Sequence, residues 1–301
     1  MCKIIYDKSQ IEAFVDIFFG SDRNPLSWAT ASLFIKASKT LENTVKTRLV
    51  RNSLTAYNSN LGKVDPEAFI SDIEKLSSRK SDLVDEVTGE SVKIENLAIY
   101  ANVNVVLYKR ALANLARGVT RMVADRIVSE SASVSDLNEL SKFLLGKGKV
   151  NGIIQESVDN MYHDYDIDLP DVEKKRKLYN LNLIKFFDRI LDGIEYHLIS
   201  TKGGYHLITK NKNLKFVDKM GYDTLKRENP RLMEFYKELV PNGTQKVMNL
   251  DLINELLPIY LGIDINQEDE RGHKIYEFVE ANDGCPLPGT LQKGYKVKII
   301  K

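Results

Sequence analysis

Cysteine is nearly missing from this 301-residue chain: Cys2 and Cys285 are the only two. Two thiols cannot form a disulfide framework or a cysteine-rich zinc module, so stability has to come from packing. Long apolar runs are missing as well. The N-terminal "MCKIIYDKSQIEAFVDIFFG" carries acids inside its short apolar stretch and has no small-residue cleavage site. These absences predict a cytoplasmic protein with no membrane partner. Net charge is almost absent, at +1 with histidine neutral. That total does not advertise nucleic-acid binding, yet local basic stripes stand at "EKKRK" (Glu173–Lys177), "TKNKNLK" (Thr209–Lys215) and "KGYKVKIIK" (Lys293–Lys301). There is no Gly-x-Ser-x-Gly elbow, no Walker-type phosphate loop and no internal repeat, and His163, His197, His206 and His273 lack metalloprotease spacing. Cys285, beside a proline and with no evident histidine partner, is a poor nucleophile candidate.

What is present is an ordinary globular composition, 43% hydrophobic and 28% charged, with room for one large domain or two modest ones. Residues 1–150 read as a mainly helical region of unknown role. "YDKSQIEAFVDIFFG" has helical spacing and closes on Gly20, and "DPEAFISDIEKLSS" opens with Asp65 as a cap and Pro66 in the first turn. "NLAIYANVNVVLY" (Asn96–Tyr108) is rich in strand formers, after which "KRALANLARGVTRMVADRIVSE" and "SVSDLNELSKFLLGKG" return to helical periodicity. "KGKVNG" (Lys147–Gly152) interrupts that periodicity and marks a boundary or a loop.

Residues 151–301 change the order of elements. "DNMYHDYDID" reads as a strand, "LPDVEKKRKLYNLNLIKFFDRILDG" as a helix, and "IEYHLISTKGGYHLITK" as two strands around a glycine turn. A helix at "NPRLMEFYKELV" and a strand at "KIYEFVEA" complete β-α-β-β-α-β, the ferredoxin-like arrangement, with "MNLDLINELLPIYLGI" as an added helix. The predicted fold class is therefore α+β.

The stretch "MYHDYDIDLP" (Met161–Pro170) poses the chemical question. Aspartate is a poor strand former and like charges repel, so three of them at alternate positions need a compensating partner. Residues two apart share a strand face about 6.6 Å apart, which points Asp164, Asp166 and Asp168 one way and Tyr165 and Ile167 the other. Divalent Mg²⁺ or Mn²⁺ takes such oxygen ligands and leaves positions for water and phosphate. For Asp168 or Asp171 there is a plain alternative, helix N-terminal placement. Whether the turn centres on Lys202-Gly203 or on Gly203-Gly204, the antiparallel pairing puts His206 on the face of Glu195, His197 and Ile199. Gly203 and Gly204 permit close approach of a ligand, and Lys202 suits a phosphate. His163 falls on the face opposite the aspartates.

"DYDID", a helix, and then "GYH" (Gly204-Tyr205-His206) resemble the first two motifs of the archaeo-eukaryotic primases and the primase-polymerases of viruses and plasmids. "LPGTLQKG" (Leu287–Gly294) resembles the Leu-Pro-Gly-Thr segment that closes many such catalytic cores. The resemblance runs from about Val158 to the C-terminus. It implies a ferredoxin/RRM-like core of the primase type. Asp164 and Asp166 would be metal ligands, with Asp168 a further candidate, His206 a contact to the nucleotide phosphates, and Thr290 and Lys293 neighbours of nucleotide or template. It further implies Mg²⁺ or Mn²⁺, nucleoside triphosphates as substrates, a single-stranded DNA template, a separately encoded replicative helicase as partner, and a phage or mobile-element origin, hence the host cytoplasm. A third acid belongs between the histidine and the Pro-Gly-Thr segment. Asp251, Asp264, Glu280 and Asp283 are the candidates, with Glu280 or Asp283 preferred. The same acids also suit a divalent-metal nuclease or another phosphoryl-transfer enzyme, and without a third acid the chain becomes a non-catalytic nucleic-acid-binding descendant.

Overall fold

A computed structural model describes residues 4–20, 27–36, 47–78, 97–107, 109–117, 120, 159, 161–191, 194–210, 234–235, 237–238, 250–268, 272, 274–281 and 284–301. They form an α+β structure of helices and antiparallel sheets.

Helix α1 (Lys8–Phe18) begins where Asp7 accepts a hydrogen bond from the Ser9 amide at 3.0 Å, and Ile11, Phe14, Val15 and Phe18 line its buried face. Helix α2 (Pro66–Ser78) starts as the sequence predicts. Pro66 opens it, and Asp65 accepts from the amides of Glu67 and Ala68 at 3.0 and 3.4 Å. Around these helices runs a six-stranded sheet in the order β10-β4-β1-β2-β3, with β5 also on β1. Its strands are β1 (Ser27–Lys36), β2 (Thr47–Asn58), β3 (Lys63–Val64), β4 (Leu97–Ala101), β5 (Val106–Leu107) and β10 (Cys285–Pro286).

Among the described residues of 1–150 this sheet stands beside the expected helices, and its strands β1 and β2 are elements the sequence reading did not foresee. The long β1–β2 pair lies at its centre, with Trp28 opposite Ala56 and Lys36 opposite Thr47. Its inner face is built from Ala29, Ala31 and Leu33. Alanine favours helix in isolation, so an alternating pattern made of small residues does not announce a strand. "NLAIYANVNVVLY" does become strand, as β4 and β5. The stretches "SVSDLNELSKFLLGKG" and "KGKVNG" lie outside the described residues.

The second sheet has the order β13-β7-β8-β6-β9, every pair antiparallel. Strand β6 (Tyr162–Asp168) leads through helix α3 (Val172–Ile190) to β7 (Tyr196–Ser200), which turns into β8 (Gly204–Lys210). Helix α4 (Leu250–Leu261) then precedes β9 (Glu277–Glu280), and after a small β11–β12 hairpin (Leu291–Gln292 with Tyr295–Lys296) β13 (Lys298–Ile299) extends the β7 edge. The opening strand, helix, strand, strand follows expectation, the helix directly before the fourth strand is the one expected as an addition, and the first strand is set between the third and the fourth. Of "NPRLMEFYKELV" only 234–235 and 237–238 are described, as helix.

The two faces of this sheet bury different partners. Tyr165, Ile167, Leu198, Tyr205, Leu207 and Phe278 pack against α3 and α4, whose Leu183, Phe186, Phe187, Leu256 and Leu257 are fully buried. Burial of each such side chain contributes about 1.5–3 kcal/mol. On the other face, Tyr162, Ile199 and Ile208 join a core shared with α1, α2 and the first sheet. That core crosses the residue-150 boundary, and β10 carries the chain from the second sheet back to β4.

The Leu-Pro-Gly-Thr turn fastens this return. Gly289 adopts φ +83, its carbonyl accepts from the amides of Tyr6 and Asp7, and a Cβ there would stand 2.2 Å from the Asp7 carbonyl oxygen. Only glycine lets the start of α1 come so close.

Candidate active site

Strand pairing decides which predicted residues meet. Asp166 lies opposite His206, Asp164 opposite Ile208, and Asp168 opposite Gly204. Directly opposed residues share a face, so the three aspartates and His206 stand together, joined by Ile199 across from His206. Tyr165 and Ile167 face α3 and α4, as the alternation requires.

The geometry around His206 is close and mostly dry. Its Nδ1 lies 2.7 Å from Asp164 Oδ1, and its Nε2 lies 3.6 Å from Asp166 Oδ1. A carboxylate only accepts, so in this contact His206 Nδ1–H donates to Asp164, which sets the ring. Asp164 is only 7% exposed, and its Oδ2 is buried with no hydrogen-bond partner among the described residues. The Asp166 side chain is 39% exposed, which opens this end of the site to solvent. An orphaned buried carboxylate oxygen is costly, and a cation is the natural compensation.

Sequence reading missed a third member. Cys285, fully buried on β10, brings its Sγ within 4.8 Å of ligand atoms of Asp164 and His206. Burial, then the charges of Asp164 and Asp166, push the thiol well above its ordinary range. Nothing local in the sequence signals this approach, because it depends on β10 pairing with β4 across from the acidic strand.

The β7–β8 connection forms the other side. Thr201 and Gly204 close the turn through a backbone hydrogen bond of 3.0 Å, so it centres on Lys202 and Gly203. Gly204 is required for packing: a Cβ would stand 1.8 Å from the Ile167 carbonyl oxygen. At Gly203 a Cβ would lie 3.2 Å from Asp168 Oδ1, which locates that carboxylate beside the turn. Asp171 occupies the N-cap position of α3 without a side-chain capping bond.

Arg176 of α3 secures the turn. Its guanidinium donates to Ser200 Oγ and to the carbonyls of Thr201 and Lys202, and it stacks 4.0 Å from the centre of the Tyr295 ring. Lys202 Nζ donates to the Lys293 carbonyl at 3.2 Å, and burial together with Lys202 holds the Lys293 ammonium below the usual lysine range. Two lysines kept close in this way favour an anion between them. Thr290 is buried and its hydroxyl donates to the Leu287 carbonyl at 2.7 Å, so it shapes the Pro-Gly-Thr turn.

The third-acid candidates separate by register. Tyr165 lies opposite Glu280, which places Glu280 on the helix face, away from the aspartates. There it lies 3.1 Å from His163 Nδ1. The preference for Glu280 is corrected on this ground: strand parity puts it on the wrong side. Asp283 lies outside the described residues. Asp264 accepts from the Asn266 amide in the turn after α4. Within β9, the acid that shares the aspartate face is Glu277, opposite Asp168. Its parity follows from the β6–β9 register, which no local motif encodes.

No family model, curated protein or solved structure matches this chain.

Proposed function

We propose that this chain is a primase-type nucleotidyltransferase, which joins nucleotides on a single-stranded DNA template using Mg²⁺ or Mn²⁺ and works beside a separate replicative helicase. The observation that carries the reading is the shared face of Asp164, Asp166 and His206 at the centre of a β-α-β-β-α-β sheet. The donor set fits a hard divalent cation: Asp164 Oδ2 is buried and unpartnered, and Asp166 reaches solvent. When bound, such a cation neutralises phosphate charge and makes the attacking hydroxyl more acidic.

The chain's own residues would bind and orient. Asp164 and Asp166 hold the cation, with Asp168 and Glu277 further along the same face. His206, its ring set by Asp164, presents Nε2 to the nucleotide phosphates. Lys202 and Lys293 supply positive charge at the turn, which Arg176 keeps in place. The reaction is in-line attack of a 3′-hydroxyl on the α-phosphate, with pyrophosphate leaving.

Incubation with single-stranded DNA, Mg²⁺ or Mn²⁺ and labelled ribo- and deoxyribonucleotides tests this. Short labelled products from the unmodified protein, absent with Asp164→Ala/Asp166→Ala, are expected. Metal-dependent loss of the template without synthesis would replace the reading with a nuclease.

A further inference from the structure

The deep end of the site holds a donor set that hard-cation chemistry does not explain. Asp164 comes from β6, His206 from β8 and Cys285 from β10, so an oxygen, a nitrogen and a sulfur converge from two different sheets. All three residues are buried, at 7%, 4% and 0% exposure. Among the described residues Asp164 Oδ2 has no hydrogen-bond partner, and the Cys285 thiol makes a weak contact of 3.4 Å to the neighbouring Pro286 carbonyl. Mg²⁺ takes oxygen ligands, whereas carboxylate, imidazole and thiolate together select a thiophilic ion.

We propose that Asp164, His206 and Cys285 bind a thiophilic divalent cation of the zinc class. In a tetrahedral zinc site with bonds of about 2.0–2.3 Å, ligand atoms lie about 3.3–3.7 Å apart. The three groups already lie within 4.8 Å of one another, so small side-chain rotations close the site. The thiol gives up its proton to solvent as the metal–sulfur bond forms, the imidazole carries its proton on Nε2 instead of Nδ1 so that Nδ1 can bind the metal, and the Asp164–His206 hydrogen bond is exchanged for metal bonds. Three protein ligands leave a fourth position for Asp166 or water. Because the ion occupies Asp164, it competes with the hard cation of the proposed reaction. That inhibitory consequence rests on the nucleotidyltransferase reading; the cation site itself does not.

Cobalt(II) titration of the full chain tests the site directly, since a cobalt–thiolate bond gives charge-transfer absorption in the near ultraviolet. The unmodified protein and Cys2→Ser should show this band and lose it on adding zinc. Cys285→Ser should lose the band, with affinity falling by at least the roughly 10–100-fold that removal of an outer-shell partner costs. Absence of the band in the unmodified protein, or its persistence in Cys285→Ser, overturns the proposal. If circular dichroism shows that Cys285→Ser does not fold, Asp164→Asn decides: at least tenfold weaker cobalt binding supports the site, and unchanged binding overturns it. In the primer-synthesis assay, zinc should inhibit the unmodified protein more than Cys285→Ser. A chain that makes no primers yet shows the band retains the site and loses only the reading above.

Discussion

The two faces of the second sheet each set a histidine beside a carboxylate, under different conditions. On the acidic face, His206 and Asp164 are about equally buried, at 5% and 6% side-chain exposure, and Asp164 keeps an unpartnered oxygen. On the helix face, His163 is 5% exposed but Glu280 is 50% exposed, and the imidazole stacks on Tyr165. Water solvates the Glu280 carboxylate, so that pair needs no further ligand and contributes little beyond local fit. Water does not reach Asp164 Oδ2. The contrast teaches that burial of the acid, more than its proximity to a histidine, marks the face with unmet charge.

Removing packing from the helix face should give the largest effect. Phe186→Ala is expected to cost about 3–5 kcal/mol in urea unfolding, because Phe186 is fully buried among Phe187, Phe235 and Tyr260. A loss below about 1 kcal/mol would deny that face its structural role. Gly204→Ala comes next, at about 3 kcal/mol, since the new methyl would collide with the Ile167 carbonyl of the paired strand β6. An unfolding midpoint equal to that of the unmodified protein would show the strands to be less tightly apposed.

Asp166→Asn should lower nucleotide incorporation on the order of 100-fold, equivalent to about 2.7 kcal/mol, without changing stability by more than about 0.5 kcal/mol. Glu280→Gln, the matching change on the other face, should leave incorporation within about twofold and cost less than about 1 kcal/mol. Equal effects from these two variants would dissolve the distinction between the faces.

The smallest effect concerns pH. Burial, the leading cause, holds His197 below its ordinary value of 6.5. The unfolded chain therefore binds more protons between the lowered value and 6.5, and stability rises with pH across that window. His197 contributes fully above 6.5, and that contribution is lost as pH falls through the lowered value. Substituting His197→Phe should flatten this part of the urea-stability profile; an unchanged slope would assign it to other groups.

Much of the acidic face was legible in the sequence because a strand has period two. Asp164, Asp166 and Asp168 against Tyr165 and Ile167, and the odd-to-even pairing across the Lys202-Gly203 turn, needed no tertiary information. Helix α1 was legible from its apolar spacing, though not its Asp7 cap, and α2 from Asp65 and Pro66 at its start. What stayed hidden depended on long-range register. Glu277 rather than Glu280 faces the aspartates because β9 pairs with β6 at one particular offset. Cys285 joins the site only because the C-terminal segment returns to β4. The β1–β2 sheet escaped notice because alanines, good helix formers, line its inner face.

The most direct test of the central claim, that unmet carboxylate charge on the acidic face holds a divalent cation, is electron paramagnetic resonance of Mn²⁺ binding in the presence of nucleotide. The unmodified protein and Glu280→Gln should take up Mn²⁺ alike, and Asp166→Asn should bind it at least tenfold more weakly. Equal binding by Asp166→Asn and the unmodified protein, or loss of binding in Glu280→Gln, would contradict the account.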